Sequence, residues 1–293
     1  MFIPLHDANH LRHIRVQWVT LAIIVANVAI WFFFTSGIIA SATSARVAYF
    51  SFGLIPAVAS GARELPELYA VMPEYTRYVT YAFLHGDFMH LAGNMLFIWV
   101  FGDNVEDAMG HLRFLLFFCI CAIAGAMLHA FVQPLSESPL IGASGAAAGI
   151  ITAYVMLHPN VKIWILALGR IPLRISALWV VGAWILFQLA NFLYAGDDQV
   201  SWAAHVGGIV AGAILLPLFK RRNVPLFDRA AVDEVLPPVP PPAVAEEGYP
   251  LPGQPERQPE SDADHISGDR EPDHGRSRPM PWGRPRGRED TDR

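Results

Sequence analysis

Six apolar runs, each close to the length needed to cross a lipid bilayer, constrain this chain more than any other feature. They cover residues 16–34, 85–101, 114–132, 141–157, 175–193 and 201–219. A spanning helix needs about 20 mostly apolar residues, because the hydrocarbon core is about 30 Å thick and each residue rises about 1.5 Å. The expected fold is therefore an all-α membrane protein built as a six-transmembrane-helix bundle. Composition agrees: 53% of the residues are hydrophobic, 16% are charged and the mean hydropathy is +0.34. So few charges leave a water-facing surface uncovered, which excludes an ordinary soluble enzyme.

The charges are unevenly placed. From Arg221 onward there are 11 Lys/Arg and 15 Asp/Glu, while the first 220 residues hold 10 Lys/Arg and 11 Asp/Glu. Lys162 and Lys220 are the two lysines, and no basic stripe precedes the tail, so no nucleic-acid partner is expected. Cys119 and Cys121 lie two apart in one apolar run and point away from each other, which rules out a disulfide between them.

These patterns predict three regions: a cytoplasmic N-terminus over residues 1–15, a six-span domain over 16–222, and a disordered Pro-rich cytoplasmic tail over 223–293. The tail includes the run Pro237-Pro238-Val239-Pro240-Pro241-Pro242 and cannot bury enough apolar area to offset chain entropy. A long outer loop at about 36–84 joins the first two spans. Its Tyr49, Phe50, Phe52, Leu54 and Ile55 predict that it rests on the bilayer surface. The stretch 163–168 is too short to cross and reads as an interfacial segment beside Arg170 and Arg174. Arg12 and Arg15 before the first run, with Ala40-Ser41-Ala42 after it, resemble a secretory signal. That run exceeds a signal core and the small-residue site lies beyond its end, so it is expected to stay as a first span.

Positive side chains orient the bundle. With the N-terminus inside, the inner segments carry Arg12, Arg15, Arg113, Lys162, Arg170, Arg174, Lys220, Arg221 and Arg222, and the outer ones only Arg46, Arg63 and Arg77. Spans two, four and six then enter from the outer face, and each opens on polar groups. These are His85, His90 and Asn94 in span two, Gly142-Ala143-Ser144-Gly145 in span four, and Ala204-His205-Val206-Gly207-Gly208 in span six. Intramembrane polar side chains are costly and need a partner or a chemical task.

Each group has a bland reading: Ser144 as a small-residue helix contact, His205 as a buried hydrogen-bonded histidine, His90 and Asn94 as interhelical ties. Gly208 and Gly212 predict close packing of span six whatever its task. The conjunction favours chemistry. A serine is a poor nucleophile without a base to take its proton, and histidine titrates in the right range. No Asp or Glu lies in spans four or six, so the expectation is a Ser144–His205 dyad whose imidazole is oriented by packing. His90 and Asn94, at i and i+4, and the Ser144 backbone N–H would form the oxyanion hole. A metal reading from His85, His90, His129 and His205 is weaker, since His-Glu-x-x-His is absent and His129 belongs near a span end facing water.

Over roughly residues 16–222 the sequence resembles the rhomboid intramembrane serine proteases, in the six-span form found in bacteria. The motifs are Gly142-Ala143-Ser144-Gly145, the His90-Leu91-Ala92-Gly93-Asn94 spacing, and Ala204-His205-Val206-Gly207 followed by Gly208 and Gly212. The resemblance implies that Ser144 is nucleophile, His205 general base and then acid, and His90 and Asn94 oxyanion stabilisers. It implies no cofactor or metal. It implies substrates that are single-span or other transmembrane proteins, cut near the outer end of a helix, and a multi-pass place in a bacterial inner membrane, in contact with lipid, with both termini cytoplasmic. Arg77 before Tyr78 resembles the arginine that ends the long first loop, with Thr76 where a tryptophan often stands. Ala148 replaces an aromatic residue that in some members stacks on the catalytic histidine. Asp103, Glu106 and Asp107 resemble a structural turn without a catalytic part. Two other functions compete: a catalytically silent binder, which would not need both Ser144 and His205, and a transporter, whose polar path should continue toward the inner face.

Overall fold

A computed structural model describes residues 2–7, 9–36, 42–167, 169–194 and 200–228. The chain divides into units of residues 1–239 and 240–293, and every described residue belongs to the first. The tail beyond residue 228 lies outside the described residues. So do Ala40 and Ser41 of the small-residue site, and Leu168.

The six apolar runs fold as six helices. They are α1 (Trp18–Thr35), α5 (Phe88–Met109), α6 (His111–Val132), α7 (Ser144–Leu157), α8 (Ala177–Tyr194) and α9 (Trp202–Phe219); α2 (Ala42–Phe52), α3 (Pro56–Ala59) and α4 (Arg77–Thr80) lie in the first loop. Four of the six, α1, α6, α8 and α9, are long and apolar enough to cross a membrane. They carry broad exposed apolar faces, such as Val25, Phe32 and Phe33 on α1 and Leu186, Phe187 and Leu193 on α8. Faces of that kind are stable only against lipid.

α7 differs from these four. Its 14 residues reach only about 21 Å. Twelve of them are buried, so it is enclosed by its neighbours and need not match the lipid thickness.

Small residues set how close those neighbours come. A Cβ on Gly208 would overlap the Gly145 carbonyl oxygen, and one on Gly212 would lie 2.5 Å from the Gly149 carbonyl oxygen. On the opposite side of α9, a Cβ on Gly207 would lie 2.6 Å from the carbonyl oxygen of Ala124 in α6. Thus α9 sits backbone-to-backbone between α6 and α7, as the Gly-x-x-x-Gly spacing predicts.

α5 runs eight residues beyond the apolar stretch that announced it. Its acidic end continues as helix because each carboxylate there finds donors. Glu106 accepts the Val19 and Thr20 amides at 3.0 and 2.8 Å and the Thr20 hydroxyl at 2.6 Å, capping α1, whose own Gln17 makes no side-chain cap. Asp107 accepts the amides of Arg12, His13 and Ile14. Arg221 donates its amide to Ala108 O and its Nε to Asp107 O, closing the other end of α5.

The segment at 163–168 is corrected. Residues Lys162–Ala167 form β2, paired antiparallel with β1 (Phe2–Asp7) on one side and β3 (Ile171–Ser176) on the other. Ile163 and Ile165 face inward while Lys162 and Trp164 are exposed, the alternation of a half-buried strand. The protein is therefore predominantly helical with one small sheet.

The loop after α1 is corrected in part. Leu54 and Ile55 are buried in protein, and Leu54 exchanges both backbone hydrogen bonds with Leu140. Arg77 anchors this loop with Thr76 in place of the tryptophan. Fully buried, it donates to the carbonyl oxygens of Phe50, Gly53 and Tyr69 at 2.7, 3.1 and 2.9 Å.

Candidate active site

Ser144 is the first residue of α7 and follows a strained loop. Gly142 has φ +115°, a region that favours glycine, and its N–H donates to Tyr81 O at 3.0 Å. The Tyr81 hydroxyl in turn donates to Ala122 O of α6 at 2.8 Å, so the loop before the serine is held from two sides. Ala143 at the N-cap offers no side-chain acceptor, in contrast to Asp87 and Ser201, which cap α5 and α9 through the amides of His90 and Ala204. The first-turn amides of α7 therefore have no side-chain cap from that position.

His205 lies in the first turn of α9. A Cβ on Gly145 would sit 3.1 Å from Ala204 O, and Gly208 meets Gly145 across the same seam. Ser144 and His205 each adjoin that seam by one residue, and both are only partly buried among buried neighbours. Among the described residues no hydrogen bond joins the Ser144 hydroxyl to His205.

His90 and Asn94 reach the same loop from α5. A Cβ on Gly142 would lie 2.6 Å from His90 Nε2 and 3.6 Å from Asn94 Nδ2, so both side chains flank the residue two before the serine. Asn94 is 8% exposed, and one of its N–H groups is aligned with His85 Nε2 at 2.9 Å. His85 is itself buried, with its carbonyl accepting the Tyr49 hydroxyl at 3.0 Å. Ser144, His205, His90 and Asn94 are thus brought to one end of the bundle by three helices.

Two readings of the sequence are corrected here. The His205 imidazole is not oriented by packing alone: its Nδ1 lies 2.8 Å from the Oε1 of Gln188 on α8, and Trp202 meets its ring edge-on at 5.9 Å. Gln188 is 3% exposed, a buried polar residue within an apolar run and therefore the kind of signal that intramembrane polarity offers. His129 does not reach out to water. It is 8% exposed, and its Nδ1 lies 2.7 Å from the hydroxyl of Ser201. Among the described residues no three His, Cys, Asp or Glu side chains converge as a metal-ligand set.

Comparison with known proteins agrees with this architecture. A family model described as Rhomboid domain matches residues 72–222. Rhomboid protein 1, mitochondrial, of Saccharomyces cerevisiae is 31% identical over 142 residues, covering 45% of this chain and 38% of that protein. RHOMBOID-like protein 12, mitochondrial, of Arabidopsis thaliana is 26% identical over 152 residues, covering 46% and 44%. Rhomboid protease GlpG of Salmonella choleraesuis is 27% identical over 143 residues, covering 47% and 46%. The chain spans less than half the length of each of these relatives. The matched domain contains Ser144, His205, His90, Asn94 and Gln188 and slightly more than half of the sequence, so the chain belongs to the rhomboid family.

Proposed function

We propose that the protein is an intramembrane serine endopeptidase that cleaves transmembrane helices of membrane-protein substrates near their outer ends. The observation that carries this reading is the backbone contact of α7 with α9 at Gly145, Ala204 and Gly208, beside Ser144 and His205. His90 and Asn94, at Gly142, supply donors next to the same serine.

In this mechanism His205 Nε2 takes the proton of the Ser144 hydroxyl as its oxygen attacks the scissile carbonyl carbon. The carbonyl π bond opens, and the oxyanion is met by His90, Asn94 and the Ser144 amide. The imidazolium then returns its proton to the leaving amine as the C–N bond breaks. Water, deprotonated by His205, hydrolyses the acyl-serine by the same path. Catalytic hydrogen bonds commonly tighten only with substrate bound, which accommodates the absence of a direct bond from Ser144 to His205. No cofactor takes part.

A scissile bond within an intact helix is shielded and its carbonyl already bonded, so cleavage needs local unwinding. Substrates with small residues at the cut and Gly, Pro or polar residues nearby unwind at lower cost. The charge distribution supports a six-span domain over residues 16–222 in a cell membrane, with the site on the outer side and both termini cytoplasmic.

The test is cleavage of a model single-span substrate by the full chain in lipid, beside Ser144→Ala and His205→Ala. Loss of cleavage with retained folding supports the dyad. An unchanged rate in Ser144→Ala removes the nucleophile, and an inactive wild type with an intact fold supports a binder instead.

A further inference from the structure

We propose that Gln188 is the positioning residue of the active site, accepting the Nδ1–H of His205 and so leaving Nε2 bare to take the Ser144 proton. The inference rests on the reading of Ser144 and His205 as nucleophile and base, and extends it from a dyad to a Ser144–His205–Gln188 relay of orientation.

Three observations carry it. First, Oε1 of Gln188 is 2.8 Å from Nδ1, a normal hydrogen-bond length, and it comes from a different helix than either reacting group. A histidine's free nitrogen is fixed by what the other nitrogen binds, so this contact decides which end of the ring is basic. Second, Gln188 is 3% exposed within an α8 whose neighbouring residues are apolar, where an unpaired amide is costly and a leucine would be the cheaper choice. Third, Ala148 offers only a methyl group one turn below Ser144, so α7 gives the imidazole no ring to lean on. The Trp202 contact is edge-on and constrains the ring less directionally than a hydrogen bond does.

A neutral amide also suits the place. A carboxylate in the same position would need a permanent counter-charge in a low-dielectric setting, whereas the amide dipole orients the ring at smaller desolvation cost. His90, which flanks Gly142 beside the same serine, is a titratable neighbour, and every variant below retains it.

The experiment uses the full chain in lipid nanodiscs. Cleavage of a single-span substrate and fluorophosphonate labelling of Ser144 are read first, against Ser144→Ala. For Gln188→Leu, kcat falls about 10- to 100-fold, part of the about 10²–10⁴ that general-base catalysis supplies, while KM stays within about twofold. For Gln188→Glu, the rate recovers and the acid limb of the kcat profile moves to higher pH, because the added carboxylate stabilises the imidazolium. Wild-type kcat in Gln188→Leu overturns the proposal, as does a Gln188→Glu variant as slow as Gln188→Leu with an unmoved profile. Nitrogen-15 NMR of His205 reads the tautomer without activity: Nδ1–H in the wild type supports the contact, and Nε2–H overturns it, even if Gln188→Leu fails to fold. A wild type that neither cleaves nor labels sinks the protease reading separately, and the nitrogen spectrum still decides the Gln188–His205 bond.

Discussion

The hydroxyl of Ser201 lies 2.7 Å from His129 Nδ1 and at the same time accepts the amide of Ala204 at 3.2 Å, so the last turn of α6 holds the first turn of α9. A serine hydroxyl has one proton to give and two lone pairs to receive, so it serves the ring nitrogen and the amide together in either histidine tautomer. Because His205 is one residue beyond Ala204, this lock acts on the position of the imidazole. Ser201→Ala removes an N-cap and leaves His129 buried without its partner. A loss of about 1–2 kcal/mol is expected, read as a lower thermal midpoint in detergent, with reduced cleavage. An unchanged midpoint would mean that the lock contributes nothing.

The seam between α7 and α9 tolerates no added atom at one place in particular. Gly208→Ala puts a methyl group into the Gly145 carbonyl, a backbone atom that cannot rotate away. The helices must separate, which costs about 1–3 kcal/mol or more and draws His205 away from Ser144. Gly182→Ala on α8 is the matched control, since nothing lies within 4 Å of its Cβ position, and helix propensity alone favours it by up to about 1 kcal/mol. Thermal unfolding and cleavage of both variants check the contrast; equal behaviour of the two would count against the close-packed seam.

These two cases show what the sequence made legible. Gly208 and Gly212 announced close packing because their spacing maps directly onto one helix face, and long apolar runs announced helices because lipid demands them. Gln188 and His129 were less legible. Each is a single polar residue in an apolar run, and periodicity cannot say which neighbour will face it. The acidic end of α5 looked like a turn because its charges broke the apolar run, yet partners distant in sequence, at residues 12–14 and 19–20, made helix the cheaper choice. β2 was missed for a related reason: six residues are too few to distinguish a strand from a surface segment until β1 and β3 supply the ladder.

The proposed part of Asn94 as an oxyanion donor is tested by one variant. Its side chain flanks Gly142 and is held by His85 Nε2 at 2.9 Å, so it is oriented before any substrate arrives. As an oxyanion donor, Asn94→Ala should lower kcat about 10- to 1,000-fold with little change in KM. Phosphonate labelling of Ser144 should slow in parallel, because that adduct also carries charge on oxygen. A variant that raises KM alone would assign Asn94 to substrate binding instead.

His158, one residue past the end of α7, should make the fold sensitive to acid. Burial pushes its imidazole down to about 4 from an ordinary 6.5, Arg12 pushes the same way, and Asp228 and Asp107 oppose. The unfolded chain therefore takes up a proton near pH 6.5 while the folded chain resists until about pH 4, so stability is full above 6.5 and declines between those values. The loss from this residue is on the order of 3 kcal/mol. His158→Gln removes the titration and should flatten the midpoint-against-pH curve across that window, relative to the wild type in the same detergent. If the two curves fall in parallel, the acid sensitivity belongs to other groups, and His158 is solvated well enough to protonate in place.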